Sequence, residues 1–291
     1  MKRVLWMAVA VAFICSCEKN IVTDDVKDDA RTKKIRFVCQ GDFGAPTFTD
    51  FGSITRATTP TDENLTDVWV FDFVGNDCVQ TVHQASTDSG FGSPVLQLAY
   101  GDHHLYFVAS RGTEPSVNAT AKTITWTRPS DTFWKSVDVS VTSGSNSNRS
   151  VVLDRVTCKL KVSMNDEVPT GIASLSLTPA NWYYALNYQT GEPAGATANQ
   201  VRTVSVPASY VGTTGQLSMS IFGLSSDTQW TTNFTIAAKD GNGATIGSAS
   251  VTGAPFKRNR STEYSGNLFV GGSANAITVN GEWDTPVTLS W

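Results

Sequence analysis

Alternation with a period of two runs through most of this sequence, and it restricts the chain to β-structure. Successive side chains on a strand point to opposite faces, so a half-buried strand alternates apolar and polar residues. Ile35, Phe37 and Cys39 alternate with Arg36 and Val38. Across Val68 to Phe73 both parities are largely apolar, which predicts a central strand covered on both sides. Val95 to Ser110 predicts two strands around a turn at Gly101-Asp102. Further strands are expected at Thr123–Thr127, Val137–Val141, Val151–Val162, Ile172–Leu177, Leu217–Phe222, Phe234–Ala238 and Thr245–Val251. Lys239-Asp240-Gly241-Asn242-Gly243 has the residues of a hairpin turn between the last two. No long segment carries a helical apolar stripe. Many short strands separated by turn signals give an all-β, sandwich-type fold.

The 291 residues suffice for two sandwich domains or one large one. Ser143 to Asn148 is polar and loop-like, and Gln189 to Gln200 is rich in Gly, Ala and Thr. We place a border between Asp166 and Pro169, giving an N-terminal sandwich over 35–168 and a C-terminal one over 169–291. The net charge of −4 argues against nucleic acid as a partner.

The beginning of the chain reads as a targeting signal. Met1-Lys2-Arg3 is basic, and the apolar run from Val4 to Ile14 is shorter than the roughly 20 residues a spanning helix needs. Ile14-Cys15-Ser16-Cys17 resembles the lipobox of bacterial lipoproteins. The resemblance implies a signal peptide over 1–16, lipid on Cys17 and attachment to the outer membrane. The competing reading is an ordinary signal peptide with a chance cysteine. Residues 17–34, with Asp24-Asp25 and Asp28-Asp29, read as a flexible tether. Past Cys17, an odd number of cysteines remains: Cys39, Cys78 and Cys158. That excludes a complete disulfide framework. Cys158, in step with Val156, Leu160 and Val162, reads as a small hydrophobe.

Three stretches together resemble the fimbrillin superfamily, the subunits of Bacteroidales type V fimbriae. The first is Thr55-Arg56-Ala57-Thr58, then Glu63, Leu65 and Val68 to Phe73. The second is Leu153-Asp154-Arg155-Val156-Thr157-Cys158-Lys159-Leu160-Lys161-Val162. The third is Pro255-Phe256-Lys257-Arg258-Asn259-Arg260-Ser261-Thr262, then Tyr264 to Phe269. The resemblance implies two transthyretin-like sandwiches, no enzymatic activity and no cofactor. It also implies partners: other fimbrial subunits, and an arginine-specific protease that cuts between Arg56 and Ala57. Such a cut frees the first strand, Ile35, Phe37 and Cys39 included, and leaves a groove for a neighbour's strand. Taken by itself, Arg56 reads as simply a loop arginine in a small polar stretch.

The end of the chain is a candidate donor. Ile277, Val279, Trp283, Val287, Leu289 and Trp291 share one parity, and polar residues hold the other. A strand this amphipathic must bury one face. Either 276–291 enters a neighbour's groove, or it is the last strand of the protein's own sandwich.

Other signals are weaker. His103 and His104 are adjacent and should face opposite ways, a poor joint metal site. Asp240-Gly241-Asn242-Gly243 lacks the ligand spacing of a calcium loop. Trp182-Tyr183-Tyr184, Trp126 and Trp134 could fill a core or stack on sugar rings. The sequence thus predicts a structural or adhesive fimbrial subunit. The rival is a surface lipoprotein that binds glycans and does not polymerise.

Overall fold

The computed structural model describes residues 31–41, 65–195, 200–269 and 289–290. In chain order the strands are β1 (Thr32–Gly41), β2 (Asp67–Val74), β3 (Asp77–Ala85), β4 (Val95–Ala99), β5 (Gly101–Ser110), β6 (Ser116–Asn118), β7 (Thr123–Thr125), β8 (Thr132–Val141) and β9 (Asn148–Arg155). They continue with β10 (Thr157–Met164), β11 (Ile172–Pro179), β12 (Ala185–Asn187), β13 (Glu192–Ala194), β14 (Arg202–Ser205), β15 (Ser218–Leu224), β16 (Trp230–Asp240), β17 (Thr245–Phe256), β18 (Ser261–Gly266) and β19 (Leu289–Ser290). A single 3-10 turn, Ala208–Tyr210, accompanies them among the described residues. The all-β expectation holds.

The first half is a sheet folded onto itself, in the order β3-β2-β5-β8-β9-β1-β4. β9 makes the fold. Residues 148–153 pair in parallel with β1, while Asp154 and Arg155 pair with β8. The two faces enclose one core: Ile35, Phe37, Leu96, Leu98 and Leu153 from one side, Val68, Val70, Leu105, Phe107 and Phe133 from the other. β2 is central, between β3 and β5, and buried on both faces, as its sequence predicts.

Its second face is covered by a small sheet, β13-β12-β7-β6. Tyr188 lies flat on Phe71, ring centres 3.9 Å apart and 7° from parallel. Leu186, Ile124 and Trp126 complete this apolar layer. The sheet is built from both halves of the chain, since β7 pairs with β12 over Ala185↔Thr125, Leu186↔Ile124 and Asn187↔Thr123.

The second half stacks β15-β10-β18-β19 on β14-β11-β16-β17. Leu160, Val162, Leu175, Leu177, Ile221, Phe234, Ile236 and Tyr264 lie between them. The hairpin at Asp240 closes as its residues demand: Asp240 Oδ1 accepts from the backbone N–H groups of Asn242 and Ala244, both at 2.9 Å. Gly223 is required by packing, because a Cβ there would stand 2.5 Å from the Trp182 ring. The single apolar run over Val151–Val162 divides at Val156 into β9 and β10. The chain leaves one core for the other there, and buried Val156 packs in the layer between.

Candidate assembly interface

β1 is an interior strand. On one edge it pairs with β9, from Arg36↔Asn148 to Gly41↔Leu153. On the other it pairs with β4, from Thr32↔Ala99 to Arg36↔Val95. Where β4 stops, loop carbonyls take over: Phe37 N–H donates to Pro94 O and Cys39 N–H to Gly92 O, each at 2.9 Å. The strand starts at Thr32, so Thr32 to Lys34, expected in the tether, are paired strand residues.

Only one face of β1 is buried. Ile35 and Phe37 are fully enclosed and Cys39 is 1 % exposed. Phe37 meets Phe107 at 5.5 Å between ring centres, tilted 54°. Burial pushes the Cys39 thiol up to about 12, so this cysteine stays neutral and packs as an apolar group. Burying each large apolar side chain is worth about 1.5–3 kcal/mol. Taking β1 away would open a slot lined by apolar side chains and by the free edges of β9 and β4.

Cys17, Arg56, Ala57, Ile277, Val279, Trp283, Val287 and Trp291 lie outside the described residues, as does the side chain of Leu289. The backbone of Leu289 and Ser290 runs parallel to β18 of the same chain, in register with Tyr264 and Ser265.

The remaining sequence candidates separate. Cys39, Cys78 and Cys158 are free thiols, with Cys158 fully buried in the second core. His103 is buried, with Nδ1 2.7 Å from Asp72 Oδ1 and Nε2 donating to Ala99 O at 3.0 Å. Desolvation pushes the Asp72 carboxyl above its ordinary range, against the His103 contact. His104 faces the other way, half-exposed, with Nδ1 2.5 Å from Asp138. Trp182 fills the second core and donates to Phe222 O at 2.7 Å. Tyr183 packs edge-on to Trp230, whereas Tyr184 lines a surface cleft. Trp126 is buried, and Trp134 donates to Tyr188 O at 2.7 Å.

Sequence reasoning missed a polar joint between the halves. Arg155 forks onto Asp131, Nε to Oδ1 at 2.8 Å and Nη2 to Oδ2 at 3.0 Å, while Nη1 reaches Asn259 Oδ1 at 3.1 Å. Its guanidinium stands 4.9 Å over the Phe133 ring. Asn259 N–H donates to Thr157 O, and Lys159 N–H to Arg260 O. Arg258 Nη2 donates to Gly191 O at 2.5 Å and to Glu192 Oε1 at 3.0 Å. The second and third stretches of the resemblance therefore meet here, about a hundred residues apart in sequence. Their shared richness in Arg and Lys was the only hint. Lys159 is wholly buried, and desolvation lowers it from 10.5 to about 7.

The fold resembles solved surface proteins. A candidate adhesin from Bacteroides thetaiotaomicron superposes with a TM-score of 0.53 at 10% identity, over 86% of this chain and 96% of that one. A candidate adhesin from Bacteroides ovatus gives 0.46 at 15% identity, over 75% and 77%. The tip fimbrial protein Mfa3 of Porphyromonas gingivalis, truncated at its C-terminus, gives 0.42 at 13% identity, over 86% and 99%. At these identities the likeness is one of fold, and only the first is near enough to support it. No curated protein matches in sequence. A family model does match residues 115–290, more than half of the chain, and the chain belongs to that family, the family of unknown function DUF6562.

Proposed function

We propose that this chain is a non-enzymatic, adhesive or fimbrial subunit of the cell surface. It is delivered to the outer membrane by lipid on Cys17 and assembled with other subunits by exchange of β1. One observation carries the reading: β1 is an interior strand with three buried side chains, joined to the rest of its sheet through residues 42–64. A cut between Arg56 and Ala57 by an arginine-specific protease would leave β1 held by noncovalent contacts alone. The residues around Arg56 are small and polar, the composition of the loops in which proteases cut folded chains. The emptied slot would then take a strand with the same apolar alternation, and 276–291 of another subunit supplies one.

The test is the N-terminal residue of the protein purified from the cell surface. Ala57 is expected for assembled subunits. If all surface protein begins at acylated Cys17, exchange of β1 does not occur. Deletion of residues 276–291 addresses the donor: polymer in which the deleted subunit still occupies internal positions would rule that segment out.

A further inference from the structure

We infer that a surface cleft beside the small sheet binds a neutral saccharide, a role separate from strand exchange. The cleft has a volume of about 420 Å³, inside the range of roughly 300–1,000 Å³ usual for ligand sites. It lies where the two halves of the chain join. Trp126 N–H donates to Tyr184 O at 3.0 Å, next to the β7–β12 pairing, so the floor is tied down from both sides. The Trp126 indole lies beneath, 1 % exposed, its N–H turned to Ser110 Oγ at 3.4 Å.

The walls are polar, and apart from Ser116, which donates to Thr125 O at 3.3 Å, and Glu114 their side chains are uncommitted. The side chains of Thr125, Thr127, Tyr184 and Gln200 border the cleft and make no hydrogen bond to another described residue. Among the described residues lining it, Glu114 is the one with an acidic or basic side chain. Its carboxylate sits 3.8 Å from His83 Nδ1, and His83 Nε2 is 2.8 Å from Asp67 Oδ1.

This chemistry selects a ligand class. Hydroxyls and a primary amide both donate and accept, and a carboxylate accepts; together they match the paired donors and acceptors of sugar hydroxyls. An apolar ligand would desolvate these groups without replacing their hydrogen bonds. An anionic ligand would meet Glu114. A half-buried tyrosine offers an apolar face to the C–H side of a sugar ring and a hydroxyl to its rim.

The full chain should be screened on a printed array of neutral, sialylated and sulfated oligosaccharides, and the strongest neutral hit titrated by calorimetry. Retention of neutral oligosaccharides is expected. Tyr184→Ala and Gln200→Ala should each weaken the titrated affinity at least about tenfold, with Tyr100→Ala, on an exposed turn of the first sandwich, unchanged. The Gln200 side chain makes no hydrogen bond to another described residue, so its variant separates binding from stability; melting curves check this. No retained neutral oligosaccharide, retention of anionic ones alone, or full affinity in both cleft variants would overturn the assignment. None of these outcomes alters the N-terminal residue on the cell surface, so assembly and binding fail independently.

Discussion

β1 and β10 hold equivalent places. β1 runs antiparallel to β4 and parallel to β9; β10 runs antiparallel to β15 and parallel to β18. Each sends alternate side chains into its own core: Ile35, Phe37 and Cys39 in one case, Cys158, Leu160, Val162 and Met164 in the other. They differ in how they are held. Val156 alone separates β10 from β9, and β10 is buried on much of both faces, with Lys159 fully enclosed. β1 is buried on one face and continues into residues 42–64. A replaceable strand needs a dedicated slot, one free face and a severable connection, whereas a permanent strand is locked from both sides.

Truncation inside each strand tests that equivalence most strongly. In the uncut chain, Phe37→Ala and Leu160→Ala should each destabilise by about 2–5 kcal/mol, read from denaturant midpoints. After a cut within 42–64, the Phe37→Ala cost should fall away as β1 leaves, while the Leu160→Ala cost persists. Equal persistence of both would show that β1 stays bound and is no different from β10.

The joint comes next. Arg155 and Asp131 are nearly buried, with side chains 9% and 1% exposed. Arg155→Ala leaves the buried Asp131 carboxylate without this cation, though Thr157 Oγ–H still donates to it at 3.0 Å, and should cost about 3–5 kcal/mol. Two unfolding transitions in place of one would show that the joint makes the two cores melt together. Smaller again, Gly223→Ala drives a methyl into Trp182 and should cost about 1–3 kcal/mol in the second core. Hydrogen exchange should then quicken in β15 and leave β1 unaffected.

The last test is a pH slope, which is small over any one pH unit. Lys159 is lowered from 10.5 to about 7 in the folded chain. Between these values the unfolded state holds a proton that the folded state lacks, so stability rises with pH across that window and is flat below it. The slope contributed is at most about 1.4 kcal/mol per pH unit. Lys159→Met should remove it and stabilise the protein most at and below about pH 7, with the gain shrinking as pH rises toward 10.5; an unchanged slope would mean that Lys159 does not titrate there.

Strands whose two faces see different surroundings were legible from sequence, because alternation records that difference directly. β1 and the strands of the Asp240 hairpin are of this kind, while β2 was legible because both of its parities are apolar. β3 was not legible. It is an edge strand whose residues are mostly exposed or half-buried, so Gln80, Thr81 and Gln84 stand where apolar residues would otherwise mark it. β12, β13 and β14 are three or four residues long, too short to show a period. The Trp182-Tyr183-Tyr184 run was ambiguous for another reason: one residue enters the core, the next packs at its margin and the third reaches the cleft.

By itself the sequence determined most of the longer strands, the all-β class and which of their faces must be buried, since those follow from the chemistry of neighbouring residues. The tertiary structure alone decided partners. It set β1 between β4 and β9 and brought Arg155 to Asn259. It also built one small sheet from hairpins whose paired residues lie 60 to 64 positions apart. Pairing across such separations depends on which surfaces remain uncovered once each segment has folded, and no local pattern encodes that.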